Sequence, residues 1–417
     1  MSASTVSSPE FLDSLVSVLE LVRRGAATTR PEIAKLSGLG RNVVTQRVAQ
    51  LLESGLLAEA EGVSTGGRAA RKLRFRADAG HVLVAELGAT SLSVALSDLT
   101  GHLTGQASEL SDVANGPESI LARVTELFDG LLGAFPVRVW GVGIGLPGPV
   151  EYTSGRPVAP PIMPGWDGFD VRGYFSARYD APTWVDNDVN VMMLGELRDG
   201  LAKGCTEAVY VKVGSGIGAG LISGGRLHRG AQGCAGDIGH MAAIATSDVL
   251  CRCGQTGCLE ALAGGLAIAR EGQEAASQRR SVFLNGLDSI GGRITAADVG
   301  YGAQHGDAVS LKLITNSARL VGETLSQIVN FFNPSLILIG GGVPDVGDLY
   351  LATVRQVIFG RSLPLATRSL LIERSRLGNT AGLKGAAFMV VDELLSRQRL
   401  PSWIDQRTPA GQPALTA

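Results

Sequence analysis

The chain has 417 residues, of which 45% are hydrophobic and 18% charged, with a net charge of −2. That balance excludes global disorder, and the length suits about two or three domains. No apolar run reaches the roughly 18 residues of a membrane span, and no basic-then-apolar leader opens the chain, so a cytoplasmic protein without membrane contact is expected.

Charge is unevenly spread. Residues 1–76 carry 11 Lys and Arg against 7 Asp and Glu, and the remainder 26 against 32. This asymmetry is expected if only the first piece meets phosphates. Residues 1–9 are expected to be disordered. Phe11, Leu12, Leu15, Val18, Leu19 and Val22 then form a helical stripe that Gly25 ends. Thr29-Arg-Pro-Glu32 is a capping box with Pro in the first turn. Its helix runs through Ile33, Ala34 and Leu36 to Ser37-Gly38. A third helix begins near Gly40, buries Val44, Val48, Leu51 and Leu52, and closes at Gly55. Two short helices joined by about three residues, the second presenting polar side chains, is the helix-turn-helix pattern. Arg41, Asn42, Thr45, Gln46 and Arg47 form a base-reading set, since Arg pairs with guanine and Asn or Gln with adenine. Thr29 is grouped with them as a DNA contact. Leu56–Ala60 and Lys72–Arg76 read as strands around a Gly-rich tip containing Gly66-Gly67-Arg68. Gly67 and Arg68, followed by Arg71, Lys72, Arg74 and Arg76, suit phosphate and minor-groove contact. Residues 10–78 therefore read as a winged helix-turn-helix that binds double-stranded DNA. The alternative is a small helical dimerisation domain with a solvated charged face.

From His81 the period changes. His81–Leu87, Leu92–Asp98 and Leu103–Leu110 are three strand-like runs, a helix follows at 117–132, and Val139–Gly145 is a further strand. Ala208–Val213 enters the stretch Gly214–Gly220, and a helix at 308–332 leads to the strand Leu336–Ile339 and Gly340-Gly-Gly342. Hairpins opening each half, then strand–helix alternation, imply an α/β body with two similar, actin-like (ribonuclease-H-like) lobes at about 79–195 and 196–400. The tail, 401–417, is rich in Pro, Gln, Thr and Ala and is expected to be flexible. No Walker-type loop occurs. Gly214–Gly220 reads as a hairpin whose backbone N–H groups face a phosphate, Ser215 adding a hydroxyl, or as a tight turn needing positive φ.

His240, Cys251, Cys253 and Cys258 form an H-x10-C-x-C-x4-C pattern. Three thiolates and one imidazole satisfy a tetrahedral Zn²⁺ with no open position, so the site reads as structural. The alternative is three reduced core cysteines and an unrelated His. Asp237 and Glu260 flank this loop, and a zinc anchor would aim both at one cleft. Asp186-Asn-Asp188 follows an apolar entry. Sugar hydroxyls need such paired acceptors and amides, and Asp188 is a candidate general base; the alternative is an N-cap cluster.

On these residues the chain resembles the ROK family, which groups sugar-responsive repressors with sugar kinases. The resemblance spans about residues 10–395. It rests on the zinc signature, Gly143-Ile-Gly-Leu-Pro-Gly-Pro149, Pro164-Gly-Trp166, Asn187-Asp188, Gly214–Gly220, Asp237-Ile-Gly-His240 and Gly340-Gly-Gly342. The head with Gly66-Gly67-Arg68 is similar to the repressor branch. The resemblance implies sugar contacts at Asn187, Asp188, Asp237, His240 and Glu260, with Asp188 matching the kinases' catalytic base. It implies nucleotide contacts at Gly214, Ser215, Gly216, Gly340 and Gly341. Where the kinases carry Asp-x-Gly-Gly-Thr to place Mg²⁺ and phosphate, this chain has Glu86-Leu-Gly-Ala-Thr90, and Asp237 stands where they usually carry Glu. Such departures disfavour ATP-Mg²⁺ chemistry, which depends on positioning to fractions of an ångström. The expected function is a sugar-responsive transcriptional regulator, a repressor of carbohydrate-metabolism genes, acting as a homodimer or higher oligomer with a sugar or sugar-phosphate effector. The alternatives are an ATP-dependent, glucokinase-like sugar kinase with an appended head, and a regulator whose body is titrated by a protein partner.

Overall fold

The first apolar stripe of the sequence is the first buried helix face. The computed structural model describes residues 9–60, 71–344 and 347–416. Helix α1 (Pro9–Arg23) buries Leu15, Val18, Leu19 and Val22, spaced i, i+3, i+4 and i+7. Helix α2 (Arg30–Ser37) opens on the expected capping box: Thr29 Oγ1 accepts from the Glu32 N–H, and the Glu32 carboxylate accepts from the Thr29 N–H. Helix α3 (Arg41–Glu53) buries Val44, Val48 and Leu51 against both. Strands β1 (Leu57–Ala60) and β2 (Lys72–Phe75) pair antiparallel as a wing. The wing tip, with Gly67 and Arg68, lies outside the described residues, as do residues 1–8.

Two five-stranded sheets of one topology follow. The first comprises β3 (His81–Leu87), β4 (Ser91–Asp98), β5 (Leu103–Leu110), β6 (Val139–Leu146) and, after a two-residue ribbon β7 (Val150–Glu151) and β8 (Arg156–Pro157), β9 (Thr183–Asn187). Its order is β5-β4-β3-β6-β9, an antiparallel meander extended by two parallel strands. Helices α4 (Pro117–Ala134) and α5 (Val171–Tyr179) pack on the face that carries Leu83 and Ala85. Helix α6 (Asp188–Asp199) leaves the end of β9. The second sheet comprises β10 (Ala208–Val213), β11 (Ile217–Ser223), β12 (Arg226–His228), β13 (Leu336–Gly340) and β14 (Leu371–Arg374), in the matching order β12-β11-β10-β13-β14. Between β12 and β13 lie a glycine- and cysteine-rich loop and helices α7 (Leu259–Ala263), α8 (Gly265–Ser277), α9 (Val282–Ser289), α10 (Ala296–Gln304) and α11 (Ala308–Phe332). Helices α12 (Asp348–Arg361) and α13 (Pro364–Thr367) precede β14, and α14 (Ala381–Leu394) follows it.

The last helix of each lobe crosses to the other. Helix α14 lies on β3 and β6, and α6 on β10 and β11. Alternation in Gly141-Val-Gly-Ile-Gly145 strips side chains from one face of β6. A Cβ on Gly143 would come 2.6 Å from the Ala386 carbonyl, and one on Gly141 2.6 Å from Val390 Cγ1. The two helices touch through glycines as well: a Cβ on Gly195 would sit 2.2 Å from the Ala381 carbonyl. The expected contiguous cut near residue 195 is therefore replaced by an exchange, with residues 381–394 packed on the first sheet. Longitudinal periodicity cannot reveal such an exchange, because both helices are apolar on more than one side.

Two further findings concern the ends of the chain. The head is not an isolated bead: its buried side chains join Trp140, Val391, Leu394 and Trp403 in one continuous core. Ion pairs surround this junction, Arg23 Nη2 to Asp392 Oδ1 at 2.9 Å, Arg397 to Asp13 at 2.9 Å and Arg407 to Glu53 at 3.2 Å. The tail expected to be flexible is instead docked. Helix α15 (Leu400–Trp403) buries Trp403 edge-on to Trp140, their ring centroids 5.3 Å apart. Arg172 and Arg399 then donate to the Thr416 and Leu415 carbonyls. Two apolar anchors, Trp403 and Ile404, outweigh a composition that otherwise looks like a linker. No described helix is long and apolar enough to cross a membrane.

Candidate functional site

A cleft of about 750 Å³ opens between the lobes. It is lined by all five residues expected to meet sugar, Asn187, Asp188, Asp237, His240 and Glu260, and by all five expected near nucleotide, Gly214, Ser215, Gly216, Gly340 and Gly341. Strand ends explain the convergence: β9 delivers Asn187 and Asp188, the β10–β11 turn delivers Gly214–Gly216, and β13 delivers Gly340 and Gly341. Ligand crevices of open α/β sheets form at such carboxyl ends.

The polar triplet divides its labour. Asp186 is buried; its carboxylate accepts from Arg229 Nε at 2.7 Å and Asn190 Nδ2 at 2.9 Å. Asn187 is the N-cap of α6, its Oδ1 accepting from the Val189 and Asn190 N–H groups while Nδ2 donates to the Gly148 carbonyl. The N-cap alternative thus holds for Asn187, although the residue also borders the cleft. Asp188 borders the cleft and pairs with a cation of the second sheet: Lys212 Nζ lies 2.6 Å from its Oδ2. Burial works against the Lys212 charge, yet the Asp188 and Glu86 carboxylates outweigh it and raise the ammonium above its ordinary range. Across the cleft, burial pushes the Glu86 carboxyl up to about 7, Lys212 opposing and Asp188 adding to the shift. Glu260 accepts from the Ile217 N–H at 2.9 Å, and a Cβ on Gly216 would come 2.2 Å from its Oε2. A Cβ at 216 would therefore push the Glu260 carboxylate off the Ile217 N–H.

His240, Cys251, Cys253 and Cys258 bring one ligand atom each within 4.8 Å of the others. Cys253 and Cys258 Sγ are 3.7 Å apart, and Cys251 Sγ is 3.5 Å from His240 Nδ1. Zn–S bonds of about 2.3 Å and a Zn–N bond of about 2.0 Å would give tetrahedral edges of about 3.8 and 3.5 Å, so the donor set fits. With Nδ1 turned to the thiols, His240 Nε2 lies 3.9 Å from Asp237 Oδ1. The loop's short bridges, Ala242 to Cys258 and Leu250 to Thr256, fold the cysteines back on one another.

On the head, Arg41, Asn42, Thr45 and Gln46 are exposed on one side of α3. Thr45 Oγ1 donates to the Arg41 carbonyl. Arg47 departs from expectation. It is buried, its Nε donating to Ser14 Oγ at 2.8 Å and its Nη1 to Gln50 Oε1 at 2.9 Å, so it braces α3 on α1 and does not face outward. The reason is spacing: position 47 falls three after Val44 and four before Leu51, on the packed stripe. Thr29 Oγ1 accepts from the Glu32 N–H as the cap of α2, which leaves its hydroxyl proton to donate elsewhere. In the wing, Arg71 pairs with Glu59 and Arg76 with Asp78, while Lys72 and Arg74 are exposed. Lys212 and Arg229 were not among the expected site residues. The signal for Lys212 was present as the one charged residue inside the apolar run Ala208–Val213; Arg229 gave none.

The xylose repressor of Caldicellulosiruptor bescii is 29% identical over 386 residues, 91% of this chain and 95% of its own. A solved ROK family glucokinase from Streptomyces griseus, in complex with glucose and AMPPNP, superposes with a TM-score of 0.66 at 28% identity over 74% of this chain and 99% of its own. A solved ROK family transcriptional regulator, a homolog of the E. coli Mlc protein, superposes with a TM-score of 0.79 at 24% identity over 98% of both chains, so the shared fold runs through head and body. The family model described as ROK matches residues 82–393, and the chain belongs to the ROK family.

Proposed function

We propose that the protein is a sugar-responsive, DNA-binding transcriptional repressor of carbohydrate-metabolism genes. The observation that carries this reading is the course of α14. Its first turn meets the cleft, where Gly382 packs against the Glu86 carboxylate, and its last turn holds α1 of the head through Asp392. Fourteen residues make a rod about 21 Å long, and it joins ligand cleft and head directly. Similarity to a xylose repressor over head and body supports the same conclusion.

In this reading Arg41, Asn42 and Gln46 reach base edges in the major groove. Thr45, Thr29 and the wing cations, with Gly67 and Arg68 at its tip, serve the backbone. Asp188, Asp237, His240, Glu260 and the Asn187 amide take sugar hydroxyls. His240, Cys251, Cys253 and Cys258 would hold a Zn²⁺ ion, which would leave no ligand position for chemistry and would stiffen the segment that carries Asp237 and His240. A homodimer sets two heads on two half-sites, and lobe closure on sugar turns them relative to each other. The test is selection of duplexes from a random library by the full chain, followed by anisotropy titration with a monosaccharide panel. One sugar is expected to weaken a sequence-specific complex. Failure to enrich any sequence refutes the reading.

A second reading, a sugar kinase with an appended head, is favoured by the Gly214–Gly216 turn standing beside Asp188 in one cleft. Coupled ADP-release across hexoses, N-acetylhexosamines and pentoses tests it. Turnover that disappears in Asp188→Ala would establish it; none is expected.

A further inference from the structure

Lys212 is an unusual residue for its place. It sits on the central strand of the second sheet, two residues before the Gly214–Gly216 turn, with Gly340 and Gly218 as its neighbours across the ladder. Its ammonium is 2.6 Å from Asp188 Oδ2, with the two side chains only 21% and 5% exposed. The other oxygen of Asp188 accepts from the Val189 N–H. Glu86, from the opposite sheet, borders the same cleft and acts electrostatically on both.

Two carboxylates beside a phosphate-type turn are the donor set that Mg²⁺ takes, since that ion binds one or two carboxylates together with substrate phosphates. Here the oxygen it would need already faces an ammonium. A divalent cation at Asp188 Oδ2 would have to displace Lys212 or sit against a like charge in a low-dielectric cleft. The same contact covers the oxygen that a sugar hydroxyl would need in order to hand over its proton. A structural salt bridge alone would be satisfied anywhere on the surface; this one stands where the two lobes face each other.

We propose that Lys212 is a tethered cation that takes the place of a divalent ion at Asp188, so that this cleft receives its ligand without Mg²⁺ and Asp188 is withheld from general-base chemistry. Mg²⁺ therefore does not fit the residues present. The inference goes beyond the repressor reading and needs no sugar for its test, so failure of one is distinguishable from failure of the other.

The experiment is a titration of the zinc-loaded full chain with Mn²⁺ alone, read by the electron paramagnetic resonance signal of free Mn²⁺. Wild type is expected to leave Mn²⁺ free. Lys212→Met and Lys212→Gln, which remove the charge and keep much of the volume, are expected to bind one Mn²⁺ per chain with affinity raised by about 100-fold or more, as relief of a like-charge juxtaposition would give. Adding Asp188→Asn to either variant is expected to abolish that site. A stoichiometric Mn²⁺ site in wild type that Asp188→Asn removes would overturn the proposal. So would cooperatively folded Lys212 variants that bind Mn²⁺ no better than wild type. Should both variants fail to fold, the wild-type titration and its Asp188→Asn control decide the matter alone.

Discussion

Asp392→Ala is the perturbation that most directly strains the link between cleft and head. Asp392 Oδ1 receives Arg23 of α1 at 2.9 Å and Arg198 of α6 at 2.5 Å, so one carboxylate joins head, first-lobe helix and α14. Breaking a fully buried pair from one side costs about 3–5 kcal/mol, but Asp392 is 33% exposed and Glu20 still holds Arg23 at 2.9 Å, which brings the expected cost to about 1–2 kcal/mol. Alanine is a strong helix former, so α14 itself should persist. That cost corresponds to a change of about 5–30-fold in the docking equilibrium of α1. Allosteric coupling is typically about 5–150-fold, so the loss is of the same order as the coupling. The assay is anisotropy of a selected duplex with and without saturating sugar, beside hydrogen exchange of α1. Sugar affinity should be unchanged, exchange in α1 faster, and the ratio of the two operator Kd values close to one. A ratio that stays at the wild-type value while α1 exchanges faster would refute the reasoning.

Four further outcomes are expected. Cys258→Ser should purify with less than one zinc per chain by elemental analysis and melt at lower temperature, by roughly 2–4 °C for each kcal/mol lost; full zinc occupancy with unchanged melting would oppose the metal assignment. Glu86→Gln should alter the pH profile of stability. The Glu86 carboxyl is raised in the folded state from 4.5 to about 7, so its contribution is complete below the unfolded value and is lost as pH rises through about 7. The variant should match wild type near pH 4 and exceed it at pH 8 by up to about 3 kcal/mol in chemical denaturation; equal stability at pH 8 would contradict the burial argument. Arg47→Ala should lower stability by about 1–2 kcal/mol and weaken all duplexes alike, whereas Gln46→Ala should change preference at one base pair by about 1–3 kcal/mol. Altered base preference in Arg47→Ala would show that its packed position is not the one used on DNA.

Much of this architecture was legible in the sequence because local chemistry enforces it. The capping box at Thr29, the apolar stripe of α1 and the strands His81–Leu87 and Ala208–Val213 follow from short-range pattern and fall where expected. The metal cluster was legible because chelation needs soft donors at close spacing, and the loop brings them together. What remained hidden is non-local. Lys212 and Asp188 are 24 positions apart, and nothing in either segment announces their contact. The exchange of α6 and α14 depends on bare glycine faces meeting across the molecule. Arg47 misled because residue type suggested DNA while its phase on α3 pointed inward. The tail misled in the opposite sense: its composition was that of a linker, but Trp403 and Ile404 bury enough apolar surface to dock it.

The central claim is that occupancy of the interlobe cleft changes the grip of the head on its operator. It is tested by measuring operator Kd for the wild-type chain at one fixed salt concentration, with and without a monosaccharide whose binding has been established separately by calorimetry. The account predicts a change of at least about fivefold. A sugar that demonstrably fills the cleft and leaves the operator Kd where it was would contradict it.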